Sequence, residues 1–232
     1  MSGPVLTTGT APGGRRSGSR GAAIGRRIGI GLMHGLWKPR VLGAWRVPAQ
    51  GPVILAGNHS HAIDGPMLMG TAPRPVHFLI KKEAFVGPLD PFLRGIGQLK
   101  VDRAMADRSA ITKALAVLED GGVLGIFPEG TRGDGDFTAL RAGLAYFAVR
   151  SGAPIVPVAV LGSTDRSGRV IPALPALRSR IDVVFGNAFE AGDGSGRRTR
   201  ATLDAATQRI QGRLTTHLHE ARRLTERDDP AA

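Results

Sequence analysis

The chain of 232 residues contains no cysteine, which excludes a disulfide framework, a thiolate zinc site and a cysteine nucleophile. It has one tyrosine and two tryptophans, and no recognised nucleic-acid motif accompanies them. No Gly-x-Ser-x-Gly elbow occurs, so a serine-hydrolase mechanism has no nucleophile. Gly121-Gly122-Val123-Leu124-Gly125 lacks the Lys and Ser or Thr of a phosphate-binding P-loop. Asp134-Gly135-Asp136 opens like a calcium loop, but Ala139 and Ala145 stand where the turn glycine and the bidentate carboxylate belong. The opening residues lack the long apolar run of a secretory signal.

Acidic residues are also missing from the first quarter of the chain, where none precedes Asp64. Arg15, Arg16, Arg20, Arg26, Arg27, Lys38, Arg40 and Arg46 come before it, eight cations against a whole-chain net charge of +12. Such an arm seeks a polyanion, and charge alone does not choose between nucleic acid and an anionic membrane leaflet.

Residues 1–22 are rich in Gly, Ser, Thr, Pro and Arg without an apolar period and read as a disordered basic arm. Over residues 23–40 the apolar residues Ile28, Ile30, Leu32, Met33, Leu36 and Trp37 thicken between arginines and Lys38. That stretch is shorter than the about 20 residues needed to cross a bilayer. It reads either as a membrane-interfacial helix or as a helix packed on the domain, and Gly29, Gly31 and Gly35 weigh against any helix there.

From residue 41 to 226 short apolar runs alternate with helical periods. Residues 53–56, 76–80, 99–101, 123–127, 155–160 and 181–185 read as strands. Ile111, Ala114, Leu115 and Leu118 mark one amphipathic helix, Leu140, Leu144 and Phe147 a second, and residues 199–224 a third. Strands this apolar are buried on both faces, so the expected fold is a single α/β domain with a mostly parallel sheet covered by helices. A frayed tail, 227–232, follows.

Ligands of such folds gather beyond the strand C-termini. There, after residues 53–56, stand His59 and Asp64 with four residues between them. If the turn folds back into a short helix, Asp64 reaches one ring nitrogen of His59 and the other is free to take a proton. Alone, this pair also suits a turn cap, or, with His61, three ligands of a metal.

After residues 123–127 comes Phe127-Pro128-Glu129-Gly130-Thr131-Arg132, and with it the chain resembles the glycerolipid acyltransferase family, which includes 1-acylglycerol-3-phosphate acyltransferases. Asn58-His59-Ser60 followed by Asp64 is similar to its first motif, and Gly97-Gln98-Leu99-Lys100-Val101-Asp102-Arg103 to its second. Residues 127–132 match the third, and Ile155-Val156-Pro157-Val158 the fourth; the resemblance spans roughly residues 45 to 190. It implies acyl transfer from acyl-CoA or acyl-carrier protein to a lysophospholipid hydroxyl, with His59 as base and Asp64 orienting it. It further implies that Arg103, Glu129, Gly130, Thr131 and Arg132 hold the acceptor, that Pro157 serves the acyl side, and that Lys82 is a reserve phosphate contact. Guanidinium forks at Arg103 and Arg132 suit a phosphate monoester, whereas Glu129, an anion, is expected to brace an arginine or the Gly130 turn. The expected partners are an anionic membrane surface, reached peripherally from the cytoplasmic face, and the two substrates. No nucleic acid, metal or further cofactor is expected.

Overall fold

The six anticipated strands form, and a seventh that the apolar pattern did not mark adds to the edge of their sheet. The computed structural model describes residues 17–102, 107–130, 135–164, 174–192 and 199–226; the arm up to residue 16 and the tail from 227 lie outside them. The strands are β1 (Lys38–Leu42), β2 (Val53–Gly57), β3 (Val76–Lys81), β4 (Leu99–Val101), β5 (Val123–Ile126), β6 (Ile155–Leu161) and β7 (Arg180–Phe185). They make one sheet in the order β1-β7-β6-β2-β5-β3-β4, parallel throughout except for the antiparallel β6–β7 pair. β1 occupies part of the stretch read as an interfacial helix. Its sequence, Lys-Pro-Arg-Val-Leu, has no apolar run, and Pro39 is tolerated because the strand lies at the sheet edge. Arg40 and Arg180 converge on the buried carboxylate of Asp182, at 2.6 and 3.3 Å, and fasten that edge.

Alternation along the strands sorts the two faces. Val53 and Leu55 of β2 and Val156, Val158 and Val160 of β6 join one core cluster. It is closed by Met33 and Trp37 at the end of α1 (Ser17–Leu36) and by Met67 and Leu68 of α2 (Asp64–Thr71). Ile54, Ala56, Ile155 and Ala159 face the other way. There they meet α4 (Arg108–Glu119), α5 (Gly143–Ser151) and α6 (Arg200–Thr225), through Leu118, Leu144, Phe147, Leu214 and Leu218. A short helix, α3 (Leu89–Gly95), precedes β4.

Helix α1 starts inside the stretch read as a disordered arm and packs on the domain. Ala22, Gly25, Gly29 and Met33, spaced by three and four residues, form its buried face. A Cβ on Gly29 would meet Gly70 of α2 at 3.1 Å, and one on Gly70 would come within 2.6 Å of the Gly29 carbonyl oxygen. Gly29, expected to weaken the helix, is therefore its contact point, and close approach to α2 offsets the propensity cost. Arg20, Ile24, Arg27 and Leu32 are left on the outer face.

Candidate active site

The loop between β2 and α2 is held at both ends. At its start, Asn58 is buried and bridges to β6: its Nδ2 donates to the Val160 carbonyl at 3.0 Å, and its Oδ1 accepts the Val160 N–H at 2.7 Å. At its end, Asp64 opens α2, where the helix dipole favours a negative charge. Its fully buried carboxylate turns back into the loop. Oδ2 accepts the backbone N–H groups of Ser60 at 2.8 Å and His61 at 2.6 Å, and lies 3.3 Å from His59 Nδ1. With Nδ1 protonated and donating to Asp64, Nε2 keeps its lone pair.

The imidazole is also fixed across its face. His59 stacks on Phe127 with centroids 4.3 Å apart and planes 19° from parallel, and Phe127 stacks on Phe78 at 5.6 Å. A Cβ on Gly57 would meet the Phe127 ring at 3.1 Å, so the end of β2 needs a small residue for the stack to form.

His59 and Phe127 stand on the wall of a cavity of about 670 Å³. Its lining is mostly apolar, with Met69, Phe78, Ile80, Leu93 and Ile96, and carries two cations, Lys81 and Arg141. Gln98 also lines it, but its amide is satisfied by backbone: Oε1 accepts the Phe78 N–H at 2.9 Å, and Nε2 donates to the carbonyls of Ile96 and Val76 at 3.1 and 3.3 Å. The cavity therefore suits a long apolar group ending in polar or anionic chemistry at His59.

Glu129 stands behind this wall. Burial pushes its carboxyl up, while backbone N–H groups of Phe137 and His59 pull it down. The Phe137 N–H donates to Oε1 at 3.0 Å, so Glu129 braces the loop that follows it. Gly130 has φ 75°, and the Arg141 side chain lies where its Cβ would be. Arg141 is delivered there because its backbone N–H donates to the Pro128 carbonyl at 2.9 Å.

Of the residues expected at the site, His59, Asp64, Glu129 and Gly130 come together. Lys82 does not join them: its ammonium pairs with Asp102 at 2.7 Å, and its neighbour Lys81 lines the cavity instead. Pro157 is also apart from the cavity, on the face toward α6, where it packs against Gly186. Strand alternation dictates this, since Val156 and Val158 point to the α1–α2 side. Arg103, Thr131 and Arg132 lie outside the described residues. His61 Nδ1 accepts the Ile63 N–H at 3.4 Å, and among the described residues no three His, Cys, Asp or Glu side chains converge as metal ligands. Arg141 and the Phe127 stack were not anticipated. The signal for Arg141 was a lone cation just before α5, beyond a Gly- and Asp-rich loop that returns to Pro128.

A family model described as Acyltransferase matches residues 38–161. The chain is 29% identical over 170 residues to a 1-acyl-sn-glycerol-3-phosphate acyltransferase of Bacillus subtilis, covering 72% of this chain and 82% of the relative. It is 31% identical over 129 residues to a protein of the same name from Borreliella burgdorferi, covering 54% and 52%. Among solved structures, the 1-acyl-sn-glycerophosphate (LPA) acyltransferase PlsC from Thermotoga maritima superposes with a TM-score of 0.66 at 20% identity. That match covers 86% of this chain and 78% of the other, and shows a shared fold.

Proposed function

The chain belongs to the Acyltransferase family, and from that premise we propose that it moves a fatty acyl group from acyl-CoA or acyl-carrier protein to the free hydroxyl of 1-acylglycerol-3-phosphate, giving phosphatidic acid. One observation carries the reading: His59, oriented by a buried Asp64, stands on the wall of an apolar cavity that also presents Lys81 and Arg141.

In this scheme His59 Nε2 takes the proton of the acceptor hydroxyl as its oxygen attacks the thioester carbonyl. A C–O bond forms, the tetrahedral intermediate collapses, the C–S bond breaks, and the thiolate recovers the proton from the imidazolium. Asp64 holds the productive tautomer and offsets the positive charge on the ring. Two backbone N–H groups, of Ser60 and His61, hold the same carboxylate oxygen in place beside Nδ1. The apolar lining suits the acyl chain. Lys81 and Arg141 suit the phosphate of the acceptor, and Arg103 and Arg132 remain further candidates for it. No cofactor takes part.

The test is transfer of labelled acyl groups from both donors to a panel of lysolipids. Lysophosphatidic acid is expected as the preferred acceptor over lyso-ornithine lipid, other lysophospholipids and glycolipids. His59→Ala is expected to lower kcat by about 10²–10⁴-fold. Undiminished transfer by that variant would overturn the mechanism, and a different preferred acceptor would overturn the substrate. We also take an anionic membrane surface as the partner that supplies the acceptor, met peripherally from the cytoplasmic face. Among the described residues no helix is long and apolar enough to cross a membrane.

A further inference from the structure

Gln211 lies on α6, on the far side of the sheet from α2, yet its amide reaches the loop behind His59. Nε2 donates to the carbonyls of Phe137 and Thr138, each at 2.9 Å. Phe137 is a buried, non-glycine residue at φ 62°, a left-handed conformation that an aromatic side chain rarely holds without support. Both of its backbone groups are clamped: the carbonyl by Gln211 and the N–H by the Glu129 carboxylate. Two residues earlier, Gly135 abuts Ser60 and Asn58 of the His59 loop; four residues later, Arg141 enters the cavity. Neighbours of Gln211 on α6, Ile210 and Leu214, are fully buried in the core, so the amide is offered from a rigid frame.

We infer that Gln211 is a positioning residue for acyl transfer: it holds Phe137 in its left-handed conformation, so that Gly135 stays packed against the His59 loop and Arg141 stands at the cavity. The inference rests on the proposed role of His59, but the clamp has a readout of its own. Gln211→Leu keeps the apolar stem and removes the donor; Gln211→Lys restores a donor. In the full chain, hydrogen exchange over residues 135–141 is expected to quicken about tenfold in Gln211→Leu, with β2 and α4 unchanged. In the transfer assay kcat is expected to fall about tenfold, the size of one well-placed hydrogen bond, with little change in KM for the acyl donor. Gln211→Lys is expected to recover most of both.

Unchanged exchange over 135–141 in Gln211→Leu would overturn the clamp. Exchange quickened uniformly across the chain would reduce Gln211 to a stability residue. An unchanged kcat beside locally faster exchange would overturn the positioning role, as would a Gln211→Lys variant as slow as Gln211→Leu. A wild-type chain inactive toward every lysolipid would count against the proposed function, while the exchange comparison would still decide the clamp.

Discussion

At His59 the ring is constrained by one carboxylate and one aromatic face, so the remaining freedom in the site lies in its cations. Lys81 and Lys82 are adjacent in sequence but end up in different places, because Lys81 closes β3 and Lys82 starts the short 3-10 turn after it. Lys82 pairs with Asp102, which raises its already basic pKa and keeps it charged, but it does not line the cavity. Arg141, from a loop that the sequence motifs do not reach, does line it. Arg141→Ala and Lys81→Ala are therefore expected to raise KM for a phosphate-bearing acceptor by about 10–100-fold, the loss of a charge-assisted hydrogen bond, and Lys82→Ala by less than about threefold. Steady-state kinetics with lysophosphatidic acid as the varied substrate measures this. A larger penalty at Lys82 than at Arg141 would return the phosphate contact to Lys82.

The elements show which parts of the molecule pattern can reveal. Six strands were legible because a run such as Ile155-Val156-Pro157-Val158 is apolar at every position, as burial on both faces demands. Strand β1 was not, because edge pairing is a backbone property that Lys-Pro-Arg-Val-Leu does not advertise. His59 and Asp64 were legible through spacing and motif, and the short helix that returns Asp64 to the ring followed from the turn between them. The facing of Pro157 needed strand register, and the position of Arg141 needed the return of a loop to Pro128; neither is written locally. Helix α1 illustrates the same limit, since its glycines do different work along it. Gly25 and Gly29 meet Ile96 and Gly70 closely, whereas Gly31 and Gly35 have open space where a Cβ would stand. Gly31→Ala is expected to stabilise the protein by about 0.5–1 kcal/mol through helix propensity alone. Gly70→Val, which drives a branched side chain into the Gly29 backbone, is expected to cost about 1–3 kcal/mol. Urea unfolding of the two variants measures both, and equal effects would mean that α1 does not pack on α2 through these glycines.

For the whole molecule, the charge asymmetry of the sequence becomes a surface once α1 is placed. The helix buries its glycine face and turns Arg20, Ile24, Arg27 and Leu32 outward, and among the described residues neither Arg20 nor Arg27 makes an ion pair. Gly21 and Gly25 abut Gly95 and Ile96, so the N-terminal half of α1 runs beside the end of α3. There Val86, Leu89 and Phe92, three residues apart, are exposed by 60%, 43% and 44%. Leu93 and Ile96 of the same segment line the cavity, so this wall is apolar on both sides. Cations beside exposed apolar side chains at a cavity mouth match the headgroup region of an anionic bilayer, from which a lysolipid would enter. Deleting the N-terminal residues would be a poor test, because Met33 and Trp37 are core residues and their loss would unfold the domain along with the surface. Charge reversal is cleaner. Arg20→Glu combined with Arg27→Glu is expected to weaken sedimentation with phosphatidylglycerol vesicles at least tenfold, at about 1 kcal/mol for each cation near the surface. Raising ionic strength well above about 0.1 M should mimic that loss in the wild type, since screening acts over about 10 Å there. Phe92→Ser should weaken binding at every salt concentration, because the area it buries in the bilayer is uncharged. Transfer to acceptor dispersed in detergent micelles should be unchanged in all of these variants, which separates a lost surface from a damaged site. If sedimentation is indifferent to both the arginines and Phe92, this face is not where the enzyme meets its lipid.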